Sequence, residues 1–224
     1  MSDSRFPIPD SRPHRTRIKF CGFTRAEDLS TAVGLGVDAV GLVCVPGSKR
    51  ELSIGAASEL RRSLPPFVDA VLLLSNASFD EAAQAIATVR PDYVQFHGRE
   101  SAADCERHGC RYLKGVSVTG PEDIRQAARD FPGASALLLD SHGADGLGGT
   151  GQAFDWTCIP HDVGPALILA GGLNPDNVGR AVRMAVPYAV DVSSGIESGP
   201  GRKDPSRMRA FVEAVRLADA QAQR

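Results

Sequence analysis

Ala166–Gly195 reads ALILAGGLNPDNVGRAVRMAVPYAVDVSSG, and its punctuation decides the fold. The apolar run Ala166–Ala170 stops at Gly171-Gly172. Asn174-Pro175 then opens a helix over Asp176–Val186, with a capping side chain followed by a proline suited to a first turn. A second apolar run, Tyr188–Val192, stops at Ser193-Ser194-Gly195. Strand, helix and strand of this length make a parallel βαβ unit. Both strands then end in small residues at the same end, where backbone N–H groups can face an anion without obstruction. Each end taken singly is ordinary turn chemistry. Two on neighbouring strands read as a phosphate cradle, the usual office of the loops after strands 7 and 8 of a (β/α)8 barrel.

The same alternation runs outward from this unit through the chain. Strands are predicted at Arg17–Cys21, Ala39–Val45, Asp69–Ser75, Tyr93–Phe96, Tyr112–Val118 and Ala136–Asp140 ahead of the two already described. Amphipathic helices are predicted at Ala26–Leu35, Ile54–Leu64, Phe79–Val89, Ala102–His108, Pro121–Phe131, Phe154–Ile159, Asp176–Val186 and Pro205–Ala220. Eight strand–helix units in 224 residues fill one closed α/β barrel, a single TIM barrel with a parallel eight-stranded sheet. An open doubly wound sheet is disfavoured, because no GxGxxG follows the first strand. Residues 1–16, rich in Pro, Ser and Arg, read as a flexible leader before a catalytic barrel spanning 17–224.

Composition narrows the function. With 42% hydrophobic and 23% charged residues the chain is of ordinary globular type, and a net charge of −2 lacks the basic surplus of a nucleic-acid binder. No apolar run reaches the length of a membrane span. Five cysteines without CxxC spacing or a secretory signal point to a reduced, cytoplasmic setting. No HxH, HExxH or tight carboxylate cluster suggests a metal, and no cofactor is implied.

Barrel chemistry gathers at the C-terminal ends of strands, which selects the candidates. In RIKFCGFT, alternation puts Arg17, Lys19 and Cys21 on one face, so the Lys19 ammonium could favour a Cys21 thiolate suited to a nucleophile or a base. A small buried core cysteine is the competing reading. Asp140 ends the apolar strand ALLLD, where partial desolvation would raise its pKa into the range of a general acid. Asp191 is its rival on strand 8. Arg50, in PGSKRELS, could grip an anionic group bidentately, or belong to a solvated basic loop. His97 in VQFHGRE could donate a hydrogen bond or shuttle a proton, or be structural. Lys114 could in principle form a Schiff base. Gly143–Gly151 reads as a mobile flap, and Trp156 as an anchor packing a short helix on the barrel.

Seven motifs, in order, resemble one family: KFCGFT (Lys19–Thr24), PGSKR (Pro46–Arg50), VQFHG (Val94–Gly98), LLLD (Leu137–Asp140), GGTGQAFDW (Gly148–Trp156), AGGLNPDNV (Ala170–Val178) and DVSSGIESGPGRKD (Asp191–Asp204). The chain is similar to the phosphoribosylanthranilate isomerases of tryptophan biosynthesis. The resemblance implies an Amadori rearrangement of N-(5-phosphoribosyl)anthranilate to 1-(2-carboxyphenylamino)-1-deoxyribulose 5-phosphate, without metal or cofactor. It further implies Cys21 as general base and Asp140 as general acid. Arg50 would hold the anthranilate carboxylate and Gly171-Gly172 with Ser193-Ser194 the phosphate, with His97 and Asp191 as further substrate-side residues. Phe20 and Phe23 stand where the family's first motif is usually aliphatic, QFHG replaces QLHG, and Cys44 takes an aromatic position; none of these replaces a catalytic group.

The sister aminoaldose isomerase of histidine synthesis uses a pair of aspartates on a two-phosphate substrate, and Cys21 together with a single evident cradle argues against it. The same reasons disfavour an isomerase serving both pathways. A non-catalytic phosphosugar-binding barrel is the reading from another class, and the presence of both Cys21 and Asp140 weighs against it. The expected partner is a small phosphosugar, with no nucleic acid and no membrane, and the sequence leaves monomer and homodimer equally open.

Overall fold

The computed structural model describes residues 15–140, 155–160 and 162–222. Residues 1–14 of the leader and the proposed flap Gly143–Gly151 lie outside them. Eight parallel strands close in sequential order: β1 (Arg17–Cys21), β2 (Ala39–Val43), β3 (Asp69–Leu74), β4 (Tyr93–Phe96), β5 (Tyr112–Ser117), β6 (Ala136–Asp140), β7 (Ala166–Leu169) and β8 (Ala189–Val192), with β8 pairing back onto β1. Helices α1 (Ala26–Leu35), α2 (Ile54–Arg62), α3 (Phe79–Val89), α4 (Ala102–Glu106), α5 (Pro121–Asp130), α6 (Val178–Ala185) and α7 (Pro205–Ala222) surround the sheet. The chain therefore folds as the TIM barrel that its alternating pattern predicts.

Alternation along each strand divides the core in two. Outward side chains, among them Phe20, Leu72, Val94, Leu137, Leu139 and Val190, pack against the helices. Inward ones form a smaller cluster of Val71, Leu113, Leu138, Ile168 and several alanines. Phe20 and Phe23 are both fully buried, and Phe20 meets Phe211 of α7 edge to face at 5.7 Å, so the aromatic replacements in the first motif are a matter of packing.

Three expectations are corrected. The helix foreseen at Phe154–Ile159 is, over its described part, a 3-10 turn at Trp156–Cys158, and Asp155 caps it by accepting from the Thr157 N–H. Trp156 nevertheless anchors that segment in the core. The helix after β7 starts at Val178 rather than Asp176. Asn174 Oδ1 accepts from the N–H groups of Asp176 and Asn177, so the capping side chain serves a turn that precedes the helix. Finally, Glu197–Gly199 (β9) and Arg202–Lys203 (β10) form a short hairpin after β8 that the sequence reading did not foresee. Its turn, Gly-Pro-Gly at 199–201, is a hairpin signal that could have disclosed it.

At the N-terminal end Thr16 is buried, and its N–H and hydroxyl both donate to Asp219 of α7. No helix of the described residues is long and apolar enough to cross a membrane, and no cluster of His, Cys, Asp or Glu among them could hold a metal ion.

Candidate active site

Cys21 closes β1 with its side chain turned into the barrel, and the neighbouring strand makes room for it. A Cβ on Gly41 would stand 2.5 Å from Cys21 Sγ, so only glycine at that position of β2 lets the thiol occupy its place. One turn of alternation below, Lys19 and Asp191 form an ion pair across the β1–β8 seam, Nζ to Oδ1 at 2.7 Å, with both groups buried. Burial alone would discharge Lys19; Asp191 and the adjacent Cys21 reverse this and hold its pKa above the ordinary value.

The thiol is governed by the opposite balance. Burial pushes the Cys21 pKa up, and the ammonium groups of Lys19 and Lys203 only partly offset it. The expectation that Lys19 favours a resting thiolate is therefore corrected: desolvation wins, and the free enzyme holds a neutral thiol. Burial likewise pushes the Cys44 thiol up to about 11 and the Cys105 thiol up to about 12.

Asp140 ends β6, which two strands, β7 and β8, separate from β1 around the ring. It is partly exposed at the mouth, and His97 Nε2 lies 3.6 Å from its Oδ2, beyond hydrogen-bond length. Gln95 Nε2 lies 3.1 Å from His97 Nδ1, and in this amide orientation it donates and leaves the imidazole proton on the Nε2 side facing Asp140. Asp191 is not equivalent to Asp140. It sits within β8, inward and neutralised by Lys19, whereas Asp140 is placed at the strand's open end.

The two glycine turns are packed together. Gly171 and Gly172 have φ of 78° and 67°, the left-handed region. A Cβ on Gly195 would stand 2.0 Å from the carbonyl oxygen of Leu173, so the turn after β8 lies directly against the loop after β7. Asn177 Nδ2 donates to the Gly172 carbonyl and fixes that loop. Ser194 opens a 3-10 turn, Ser194–Ile196. The Ser193 hydroxyl lies beside Gly22, buried and with no hydrogen-bond partner among the described residues.

Arg50 is not a solvated loop residue. Its Nε and Nη2 donate to Glu197 Oε1 and Oε2, both at 2.7 Å, leaving Nη1 as the guanidinium donor group not spent on that pair. Glu197 also accepts from Lys203 Nζ at 2.8 Å, and this fully buried ammonium donates to the carbonyls of Cys21 and Ser193 as well, at 2.6 and 3.1 Å. The unforeseen hairpin thus ties the ends of β1 and β8 to the loop after β2. Despite its burial, Glu197 titrates below the usual carboxylate range because Arg50 and Lys203 bind its charged form.

Lys114 is no Schiff-base candidate: it donates to the Phe96 and Gly98 carbonyls and to Glu100, at 3.4, 2.6 and 2.8 Å, and braces the loop after β4.

The buried pair carries a testable consequence. Asp191→Asn removes the counter-charge of an ammonium that cannot reach water, and such a loss costs roughly 3 kcal/mol of stability. Denaturant unfolding should show that loss while kcat falls by less than it does on substitution of Cys21 or Asp140; a variant as stable as wild type would show that the pair is not the structural element described.

The sequence of residues 18–214 matches the family model described as N-(5'phosphoribosyl)anthranilate (PRA) isomerase. The N-(5'-phosphoribosyl)anthranilate isomerase of Pseudomonas aeruginosa is 52% identical over 200 residues, covering 89% of this chain and 95% of that one. The phosphoribosyl anthranilate isomerase of Thermotoga maritima superposes with a TM-score of 0.83 at 36% identity, over 90% of this chain and 99% of that one. A second isomerase structure, in complex with reduced 1-(o-carboxyphenylamino)-1-deoxyribulose 5-phosphate, gives 0.77 at 33% identity over 90% and 99%. A third, of monomers generated from the dimeric Thermotoga maritima isomerase, gives 0.77 at 31% over the same shares. Barrel and similarity agree: the chain belongs to the phosphoribosylanthranilate isomerase family and is a PRA isomerase of tryptophan biosynthesis.

Proposed function

We propose that Cys21 and Asp140 are the acid–base pair of the isomerisation, with Cys21 as base and Asp140 as acid. The observation that carries this reading is that a thiol and a carboxyl group stand at the C-terminal ends of β1 and β6, at one barrel mouth that also holds the glycine turns after β7 and β8. Asp140 gives its proton to the furanose ring oxygen of N-(5-phosphoribosyl)anthranilate. The C1–O bond breaks, and the anthranilate nitrogen lone pair forms the C=N bond of a protonated Schiff base. Cys21 then takes the proton from C2, and the C2–H electron pair becomes the C1=C2 bond of an enolamine. Protonation at C1 and loss of the 2-hydroxyl proton give the ketone, so the product is an isomer of the substrate and no oxidant or reductant is consumed.

The raised thiol pKa fits this order of events. A neutral thiol is the resting form; it releases its proton to solvent before C2 is deprotonated, and the positive charge of the Schiff base beside it favours the thiolate that then takes the C2 proton. In this reading Arg50, oriented by Glu197, meets the anthranilate carboxylate through Nη1. The backbone N–H groups of the two turns hold the phosphate, and His97 keeps its Nε2–H toward Asp140 and the substrate. The reacting region is a single catalytic barrel beginning at Arg17.

Two measurements test the reading. Purified protein supplied with phosphoribosylanthranilate generated in situ should consume its fluorescence at an enzymatic rate; binding of the reduced product analogue without turnover would overturn it. The difference in thiolate absorbance between wild type and Cys21→Ser should rise with a midpoint above pH 9.0, the ordinary thiol value, because the folded pKa is raised. Lys19→Met removes the ammonium that opposes burial and should move that rise to still higher pH. A thiolate present at neutral pH would contradict the site's electrostatics.

A further inference from the structure

β4 sends Val94 and Phe96 outward to the helices, so alternation turns Gln95 and His97 into the barrel. Gln95 lies one layer below His97 and is 1% exposed. Its register partners on the neighbouring strands are Leu73 and Leu113, whose side chains offer it no hydrogen bond. Among the described residues its amide has one partner, the imidazole, with Nε2 3.1 Å from Nδ1, while its Oε1 is buried with none. An apolar side chain of the same length would avoid the cost of burying a half-paired amide. What Gln95 contributes in return is its single bond to His97.

That bond has one favourable sense. Turned round, the amide would accept a proton from Nδ1 and leave both hydrogens of its –NH2 where Oε1 now lies. Two orphaned donors would then replace one unused acceptor, the costlier of the two burials. Gln95 therefore donates, Nδ1 accepts, and the single proton of the neutral ring belongs on Nε2. The neighbouring strand fixes where the ring lies. A Cβ on Gly115 of β5 would stand 2.3 Å from His97 Nδ1, so glycine at that position admits the Nδ1 edge of the imidazole. With that edge held over Gln95, Nε2 points to the mouth, 3.6 Å from Asp140 Oδ2.

We propose that Gln95 is a positioning residue of the isomerisation: by donating to Nδ1 from below, it makes His97 present an N–H rather than a lone pair to Asp140. The inference rests on the reading of Asp140 as the acid. Imidazole is a stronger base than a carboxylate by about 2–3 pK units, so a lone pair beside the acid would compete with the ring oxygen for its proton. An N–H cannot take that proton. Once the proton has passed to the ring oxygen and the C1–O bond has broken, Asp140 is an anion. The same Nε2–H then stands ready to donate to it as the 3.6 Å gap closes, a charge-assisted bond made only after proton transfer. Gln95, a layer below the mouth, acts on this step only through His97.

Nitrogen NMR of protein labelled in its histidine rings reads the tautomer directly. The chain has five histidines, and the His97 signals are those missing from His97→Asn. Wild type is expected to carry the proton on Nε2. Gln95→Met keeps the side-chain length and suits the flanking leucines, so it should unfold at no lower denaturant concentration than wild type. Its His97 should sample both tautomers, and kcat should fall at least about fivefold with KM nearly unchanged, a part of the roughly 10²–10⁴-fold carried by the acid itself. Gln95→Glu sets an acceptor under Nδ1, and should draw the proton there and slow turnover further. In an Asp140→Asn background neither substitution should cost more than about twofold, because the group it serves is gone. A wild type with the proton on Nδ1 would overturn the inference, as would a kcat within about twofold of wild type in both Gln95 variants. Equal losses with and without Asp140 would also overturn it, by marking a structural role alone. Failure of the underlying acid assignment shows differently, as an Asp140→Asn protein that turns over like wild type.

Discussion

Cys21→Ala is expected to lower kcat by at least a hundredfold, within the roughly 10²–10⁴-fold range of a lost general acid–base group, while the reduced product analogue binds as it does to wild type. The thiol sits against Gly41 inside the barrel mouth, so its removal leaves a small space and no unpaired charge, because Lys19 keeps Asp191 as partner. Folding should therefore persist, and the loss should appear in the step that breaks the C2–H bond. Substrate deuterated at C2 separates the explanations. Residual turnover by Cys21→Ala should show a larger isotope effect than wild type, since proton abstraction is then rate-limiting. Cys21→Ser keeps the shape but supplies a far weaker base, and should be nearly as slow. A kcat within tenfold of wild type in either variant would remove Cys21 from the chemistry.

Asp140→Asn is expected to be impaired to a similar degree for a different reason. The amide keeps the size of the carboxyl and a polar neighbour for His97 Nε2 at the 3.6 Å position, but it has no acidic proton for the ring oxygen. Ring opening should become limiting, so the C2 deuterium effect should vanish in this variant while it grows in Cys21→Ala. That contrast assigns the two groups to two steps, which equal losses in kcat alone could not do. An undiminished isotope effect in Asp140→Asn would place Asp140 outside the ring-opening step. The Asp191→Asn protein should differ from both, because its defect lies first in stability.

Much of this was legible in the residue pattern. The eight apolar runs of Arg17–Cys21 through Ala189–Val192, spaced by amphipathic segments, specify strands and helices by periodicity, which depends only on local order in the chain. Cys21 and Asp140 were legible as candidates because a barrel puts strand ends on one rim and each ends its strand. The turns at Gly171-Gly172 and Ser193–Gly195 were legible through residue types that few other backbone conformations require.

What the linear pattern did not disclose depends on distance between residues far apart in the chain. Arg50 and Glu197 are 147 positions apart, and Lys203 meets the Cys21 carbonyl across 182, so no local spacing announces the network that orders the site. The ionisation of Cys21 was misjudged for the same reason: the strand shows the nearby Lys19 but not how completely the barrel excludes water from the thiol. By itself the sequence determined the barrel, the family and the identity of the candidate groups, because hydrophobic period and turn chemistry are local. Only the tertiary structure decided which charges are paired and which proton is held, because burial and Coulomb energy depend on what the closed barrel brings together.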